Sequence, residues 1–303
     1  MADNRKKPAS GGNDRQKGTV NKPKGQRRGK KTNTALWAWI SIGVVVAIVA
    51  TLVLVKTLSG PPSGGESKPV SATMYNQITH IPASVYDQVG VTSQITVNPP
   101  AVLAGQPPLT YLQGGKQVPG SFYWGAEYCP YCAATRWGMI AAYSRFGGWV
   151  NDRLYTMTSA PNDIAPNTPT FSFYRTKYYS PYIVFKTYEV IGPINNGKTL
   201  QATPPKEQKL LAKYNPRGYF PFLDIGNKVF VEGTAYDPNT LAGQTREQIA
   251  AGLSDPTNPV TQAIIATANY MSAGICATNG AQPASVCQSS GVQAAAKALK
   301  LKF

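Results

Sequence analysis

One stretch of the chain is apolar throughout. Ala35–Val55 carries no charge, and at about 1.5 Å per residue a helix of that length crosses a hydrocarbon core of roughly 30 Å. The residues before it, 1–31, have almost no large apolar side chains, so they cannot bury a core and predict a disordered tail. Behind it, Leu58 to Val70 is rich in Gly, Pro and Ser and reads as a linker. From about residue 73 the pattern becomes mixed, as in a folded domain. Thr73 to Gly90 predicts two short helices broken at Ile81-Pro82, with Val85 and Val89 on the apolar face of the second. Leu109 to Gln113 and Val118 to Trp124 flank Gly114-Gly115-Lys116 and predict a hairpin.

Downstream of that hairpin, Ala133, Trp137, Ile140, Ala141 and Ser144 recur at helical spacing, and Gly147-Gly148 supplies a stop. Arg153–Ser159, Thr170–Tyr174 and Tyr182–Val190 have strand composition, with a Pro- and Asn-rich segment between the first two. The Tyr and Phe residues between Phe171 and Tyr188 read as β-formers on a half-buried sheet. Pro204–Tyr214 predicts a surface helix with Lys206, Glu207, Lys209 and Lys213 on it. Phe222–Ile225 and Lys228–Glu232 surround a Gly-Asn turn, a tight hairpin signal. Thr245 and Gln248 form a capping-box pattern opening a helix that ends near Leu253. A further helix is expected over Val260–Ala273, and a last one over Val292–Leu301.

Charge decides the topology. The 303-residue chain has a formal net charge of +16. Residues 1–31 hold eleven Lys or Arg against two Asp, which leaves +7 for the remainder. Nucleic-acid binding is one reading of such a tail. The apolar run directly behind it favours another, a cytoplasmic topology signal that also touches anionic lipid, with no specific nucleic-acid partner. Lys56 is the only basic residue close behind the run, and Trp37 and Trp39 stand at its entrance. The positive-inside bias then places the N-terminus in the cytoplasm and the rest outside. The run is too long for a signal-peptide h-region, and no A-x-A-like site follows it directly. The expected organisation is a basic tail over 1–34, a transmembrane helix over 35–56, a linker over 57–72 and an extracytoplasmic domain over 73–303.

The candidate chemistry lies between the hairpin and the helix. Phe122–Trp124 reads as a short buried strand, and after Gly125-Ala126-Glu127-Tyr128 come Cys129-Pro130-Tyr131-Cys132. Cys129 falls just before the first helical turn, where free backbone N–H groups and the helix dipole favour a thiolate. A lowered thiol pKa makes a cysteine nucleophilic near neutrality. The spacing lets both sulfurs meet across one turn, so a disulfide can open and close there. A zinc half-site is the competing reading. The chain has no second CxxC, and its only histidine, His80, is far off in sequence and reads as a surface residue. A structural disulfide in a non-catalytic binding module is a second alternative, and Cu(I) handling through two soft sulfurs a third. Cys276 and Cys287 sit in a Gly/Pro/Ser/Asn stretch between the last two helices. Outside the cytoplasm such a pair oxidises, and it reads as a staple joining those helices.

Strand, aromatic bend, Cys-Pro-Tyr-Cys and helix resemble the active-site segment of the thioredoxin superfamily, and Pro130-Tyr131 is similar to the dipeptide of glutaredoxins. The wider string Trp124–Trp137, closing on Arg145-Phe146-Gly147, resembles an uncharacterised family of membrane-anchored thioredoxin-like domains. The resemblance covers Leu109 to about Leu253. It implies an α/β thioredoxin-like fold with an extra N-terminal hairpin, a core over about 109–253 and a helical extension over 254–303. It further implies dithiol–disulfide exchange with protein thiols or disulfides, in which Cys129 attacks and Cys132 resolves, without cofactor or metal. Pro130 and Tyr131 shape the turn, Pro221 is the family's cis-proline, and Phe220 is the residue before it, where substrate docks. Thioredoxins also keep a buried acid under the resolving cysteine. Glu127 and Glu189 are both candidates, and the motif matches neither position. Tyr128 stands where thioredoxins usually have Trp, and the segment from Gly148 to Arg217 is longer than the minimal fold needs.

Overall fold

The computed structural model describes residues 67–193 and 198–303; the basic tail and the apolar run Ala35–Val55 lie outside the described residues. In chain order the elements begin with α1 (Ala72–Thr79), α2 (Ala83–Val89), β1 (Ala101–Val102), β2 (Thr110–Gln113), β3 (Lys116–Ala126) and α3 (Pro130–Tyr143). Next come β4 (Gly148–Trp149), β5 (Tyr155–Thr158), β6 (Pro169–Ser172), β7 (Tyr178–Tyr179), β8 (Val184–Ile191) and α4 (Pro205–Tyr214). The chain finishes with β9 (Phe222–Ile225), β10 (Val229–Glu232), α5 (Arg246–Gly252), α6 (Pro259–Asn279), α7 (Ala284–Cys287) and α8 (Ser290–Ala298). Among the described residues no helix is long and apolar enough to cross a membrane.

The protein has a mixed α/β fold organised on β3. The first part of β3 pairs with β2 as an antiparallel hairpin. Its second part runs parallel to β8 on one side and antiparallel to β9 on the other. β10 continues antiparallel from β9, and β1 adds at the far edge. The β9–β10 hairpin turns through Gly226 and Asn227 at φ 70° and 57°, a left-handed region open to Gly and Asn.

Alternation along the strands sends side chains to two faces. Tyr123, Phe185, Leu223, Ile225, Val229 and Val231 join the large core built with α3 and α6. Phe122, Tyr188, Val190, Phe222 and Phe230 join a second cluster closed by Leu211 of α4 and by Leu109 and Tyr111.

A parallel pair needs a long crossover, and the one from β3 to β8 contains α3 and everything up to Ile183. That long segment wraps α3. Trp137 Nε1 donates to Pro169 O at 2.9 Å, and its ring meets Phe171 edge-on at 4.6 Å. Every residue of α3 except Tyr131 is therefore buried, where the sequence pattern predicts a one-sided stripe. Among the named strands β5 pairs with β6 and β4 with β7, so neither pair belongs to the central sheet. β6 is buried along its whole length rather than half-buried.

Three expectations are corrected. Lys68–Val70, assigned to the linker, docks on β5: Thr156 N donates to Lys68 O at 2.7 Å and Val70 N to Leu154 O at 2.9 Å. Glu207, expected on a surface helix, is buried and accepts the Tyr111 hydroxyl at 2.7 Å, because α4 lies across the β2 hairpin. The helix expected over Val260–Ala273 runs on to Asn279, so Cys276 lies within its last turns and not in a loop. Cys287 ends α7, and the two form a disulfide with Cα atoms 5.6 Å apart, both buried.

Candidate active site

β3 ends at Ala126, and Glu127 N donates to Ile191 O at 2.9 Å, which ties the end of β3 to β8. The chain bends through Tyr128 and enters α3 with Cys129 as N-cap and Pro130 in the first turn, where its missing N–H costs nothing. Cys129 Sγ accepts from the Cys132 backbone N–H at 3.4 Å. Both thiols are free, but they differ in access: Cys129 is 5 % exposed and Cys132 is 0 %.

Their electrostatics differ in the same sense. A hydrogen bond from the Cys132 thiol holds the Cys129 thiol below its ordinary pKa. Burial opposes this, while the Cys132 and Tyr131 N–H groups and the Arg136 charge support it. Burial pushes the Cys132 thiol well up, and the hydrogen bond to Cys129 and its charge add to that.

The Phe220–Pro221 peptide bond is cis. Phe220 packs on the small cluster of Ala126, Cys129 and Cys132, together with Tyr128, Tyr131 and Ile191. Its ring meets Trp124 at 4.3 Å. Pro221 stands immediately before β9, and its carbonyl accepts from Gly233 N at 2.8 Å. Tyr131, the half-buried residue of the turn, faces an open groove of about 570 Å³ lined also by Ile95, Ile164, Thr234 and Asp237. The structure thus brings Cys129, Pro130, Tyr131, Cys132 and Phe220-Pro221 together. His80 lies apart, exposed at the end of α1, with its ring beside the Thr79 hydroxyl at 2.8 Å. Among the described residues no group of three or more His, Cys, Asp or Glu converges as for a metal ion.

The two acids separate. Glu127 is buried but turned toward β6, where its Oε1 accepts the Ser172 hydroxyl. Burial raises its pKa. Glu189, on β8 opposite Gly125, is completely buried. It takes both arms of the Arg136 fork, Nε to Oε1 at 2.9 Å and Nη2 to Oε2 at 2.7 Å. Phe173 N donates to Oε1 at 3.2 Å, and the Tyr123 hydroxyl to Oε2 at 3.4 Å.

Arg136 and Tyr123 are the site residues that sequence reasoning passed over. The signal was there: Arg136 is the only charge in the Pro130–Tyr143 helix and stands at i+4 from Cys132, on the same helical face. Its Nη2 also donates to Ala126 O at 2.7 Å, beside the cysteines.

Fold and site together define a mixed α/β protein that holds two free, inequivalent thiols where a central strand turns into a buried helix. The chain belongs to the DUF929 family, a domain of unknown function, whose model matches residues 108–277, more than half of the chain. The match runs from the approach to β2 into the last turn of α6 and takes in Cys129, Cys132, Pro221 and Cys276. No curated protein and no solved structure matches the chain.

Proposed function

We propose that this protein is a thiol–disulfide oxidoreductase with a thioredoxin-like fold. It is held in the membrane by Ala35–Val55, with its domain outside the cytoplasm, and acts on cysteine-containing proteins of the envelope. The observation that carries the reading is the inequality of the two thiols: a Cys129 that keeps a 5 % exposure and is stabilised as thiolate at a helix N-cap, and a wholly sealed Cys132 behind it. A structural half-site or staple has no need of that asymmetry, whereas exchange chemistry does. The surroundings support the same reading. A strand feeds the CxxC helix, a parallel strand lies beside it, and a hairpin opened by a cis-proline stands against the cysteines. That is the arrangement the thioredoxin resemblance implies.

Cys129 thiolate attacks a substrate disulfide, one substrate sulfur leaves, and a mixed disulfide forms. Cys132 then attacks Cys129 Sγ and releases the second substrate sulfur. Phe220 and Pro221 form the wall against which the substrate chain lies, and Tyr131 borders the groove on the other side of the turn. The same steps in reverse oxidise a dithiol.

Substituting Cys132→Ala in the full chain removes the resolving step. Mixed disulfides should then accumulate through Cys129 to several times the wild-type level on non-reducing gels of alkylation-quenched membranes. Cys129→Ala should trap nothing. Equal capture by the Cys129→Ala protein reverses the assignment of roles.

A further inference from the structure

The open groove beside Tyr131 is built largely from parts of the chain that the thioredoxin resemblance does not supply. Residues 93–98 lie ahead of the region it covers, and residues 160–167 belong to the long segment that the minimal fold does not need. Residues 233–241 form the third wall. Hydrogen bonds fix all three walls to the CxxC segment. Ala160 N donates to Tyr128 O at 2.8 Å, and Asn98 N donates to Ala235 O at 2.7 Å. Ala235 N in turn donates to Thr135 Oγ1 at 3.2 Å, and the Tyr236 hydroxyl to Ala134 O at 2.8 Å. The apolar part of the groove is Ile95, the Tyr131 ring and Ile164, which is 66 % exposed. Asp237 is the only charged residue that lines it. Its Oδ1 accepts from Asn239 N at 2.9 Å, and no basic side chain pairs with it among the described residues. The three walls together hold two acids, Asp163 and Asp237, and no Lys or Arg. The opposite flank has the reverse charge. α4 shares the second aromatic cluster with Phe220 and exposes Lys206, Lys209 and Lys213, while its one acid, Glu207, is buried. A chain of net charge +16 thus turns an acid-only groove toward one side of its cysteines.

We propose that this groove selects the substrate by charge: it takes the stretch of an extended polypeptide that flanks the reacting cysteine with an apolar and a basic side chain, and Asp237 sets the preference. This rests on the thiol–disulfide reading above and names the substrate class which that reading leaves open. The apolar side chain covers Ile95 and Ile164. The Lys or Arg reaches Asp237, with its stem along the apolar wall. Acidic residues on the other side of the substrate cysteine face the lysines of α4. A substrate divided in this way is oriented before it reacts, because the reversed chain sets like charges against each other on both flanks. The exchange itself is unaltered. Cys129 thiolate attacks the substrate sulfur, the substrate disulfide breaks, and its other sulfur leaves with the electron pair. Cys132 loses its proton and attacks Cys129 Sγ, and the substrate sulfur leaves as a thiolate that solvent protonates. The dithiol loses two electrons and the substrate disulfide gains two.

The test uses the reduced full chain in detergent and two peptides of the same composition, each with one cysteine activated as its 2-thiopyridyl disulfide. One peptide has Ile and Lys before the cysteine and Glu after it; the other has the reverse order. Their net charges are equal, so attraction to the protein as a whole cancels in the comparison. Attack by Cys129 on the peptide sulfur releases thiopyridone, and resolution by Cys132 then releases the peptide as a free thiol. One order should react about threefold or more faster at low salt, the scale of one or two exposed ion pairs, and the two rates should converge at about 0.5 M salt. Asp237→Asn keeps the oxygen that accepts from Asn239 N and should bring the ratio toward one. Thr240→Lys, on the groove wall, should invert it. Each ratio is taken within one protein, so a loss of folded or active fraction cancels. Equal rates for the two orders in the wild type overturn the proposal, and so does a preference that neither substitution changes. Peptide that stays on Cys129 as a mixed disulfide in both orders overturns the oxidoreductase reading and the proposal together. Failure of charge selection alone leaves peptide release intact in both orders.

Discussion

Replacing Arg136 by Met should lower the stability of the protein by about 3–5 kcal/mol, the usual loss when one partner of a buried ion pair is removed. Glu189 would be left as an unpaired carboxylate with no access to water, keeping only Phe173 N–H and the Tyr123 hydroxyl as donors. Glu189→Met should cost a similar amount, because the guanidinium would then retain only Ala126 O. The double substitution Arg136→Met with Glu189→Met should recover most of the loss, since neither charge then remains to be solvated. Denaturant midpoints of the four detergent-solubilised full-length proteins complete the cycle. Additive single losses would mean that the pair is not coupled as its geometry implies.

The second large effect concerns Asp224. It lies on the aromatic face of the sheet, paired in register with Phe122 and Phe230, and is fully buried. Asn227 N donates to its Oδ1 at 2.7 Å, but Oδ2 has no partner among the described residues. Burial lifts its pKa from the ordinary 3.8 to about 7, against the pull of the Asn227 hydrogen bond. The folded state therefore binds this proton more tightly than the unfolded chain does. The contribution to stability is complete below about pH 4 and is lost as pH rises through about 7. At roughly 1.4 kcal/mol per pH unit the whole effect is on the order of 4 kcal/mol. Asp224→Asn keeps the acceptor for Asn227 N–H and removes the charge. It should raise the melting temperature clearly at pH 8 and leave it nearly unchanged at pH 4. An equal shift at both values would show that the carboxyl is not the titrating group.

Local signals in the chain carried most of the fold. Gly114-Gly115-Lys116, Gly226-Asn227 and the Thr245–Gln248 box place two hairpins and a helix start by turn and cap chemistry alone, and all three are present. The CxxC at a strand-to-helix junction is likewise local, as is the proline that opens β9. What the pattern cannot carry is contact between distant segments. Trp149, Phe171 and Phe173 close over α3 from a segment whose own periodicity only says strand, so the full burial of that helix has no local sign. Glu207 reads as a surface residue because its partner, Tyr111, is ninety-six positions away. The charged part of the site is missed for the same reason. Glu189 and Arg136 lie fifty-three residues apart, and only the parallel pairing of β8 with β3 brings them together.

Two cysteine pairs in one chain allow an internal comparison. Cys276–Cys287 is fully buried in the contact between α6 and the helices behind it. Cys129–Cys132 gains in its reduced form from the N-cap N–H and from the hydrogen bond between the thiols, so its disulfide is expected to be the more oxidising of the two. Graded dithiothreitol applied to the oxidised full chain, followed by alkylation and peptide mass spectrometry, orders the two bonds directly. Cys129–Cys132 should open first, with Cys276–Cys287 still closed. If Cys276–Cys287 opens first and Cys129–Cys132 resists, the pair at the helix start is a staple and the oxidoreductase reading is contradicted.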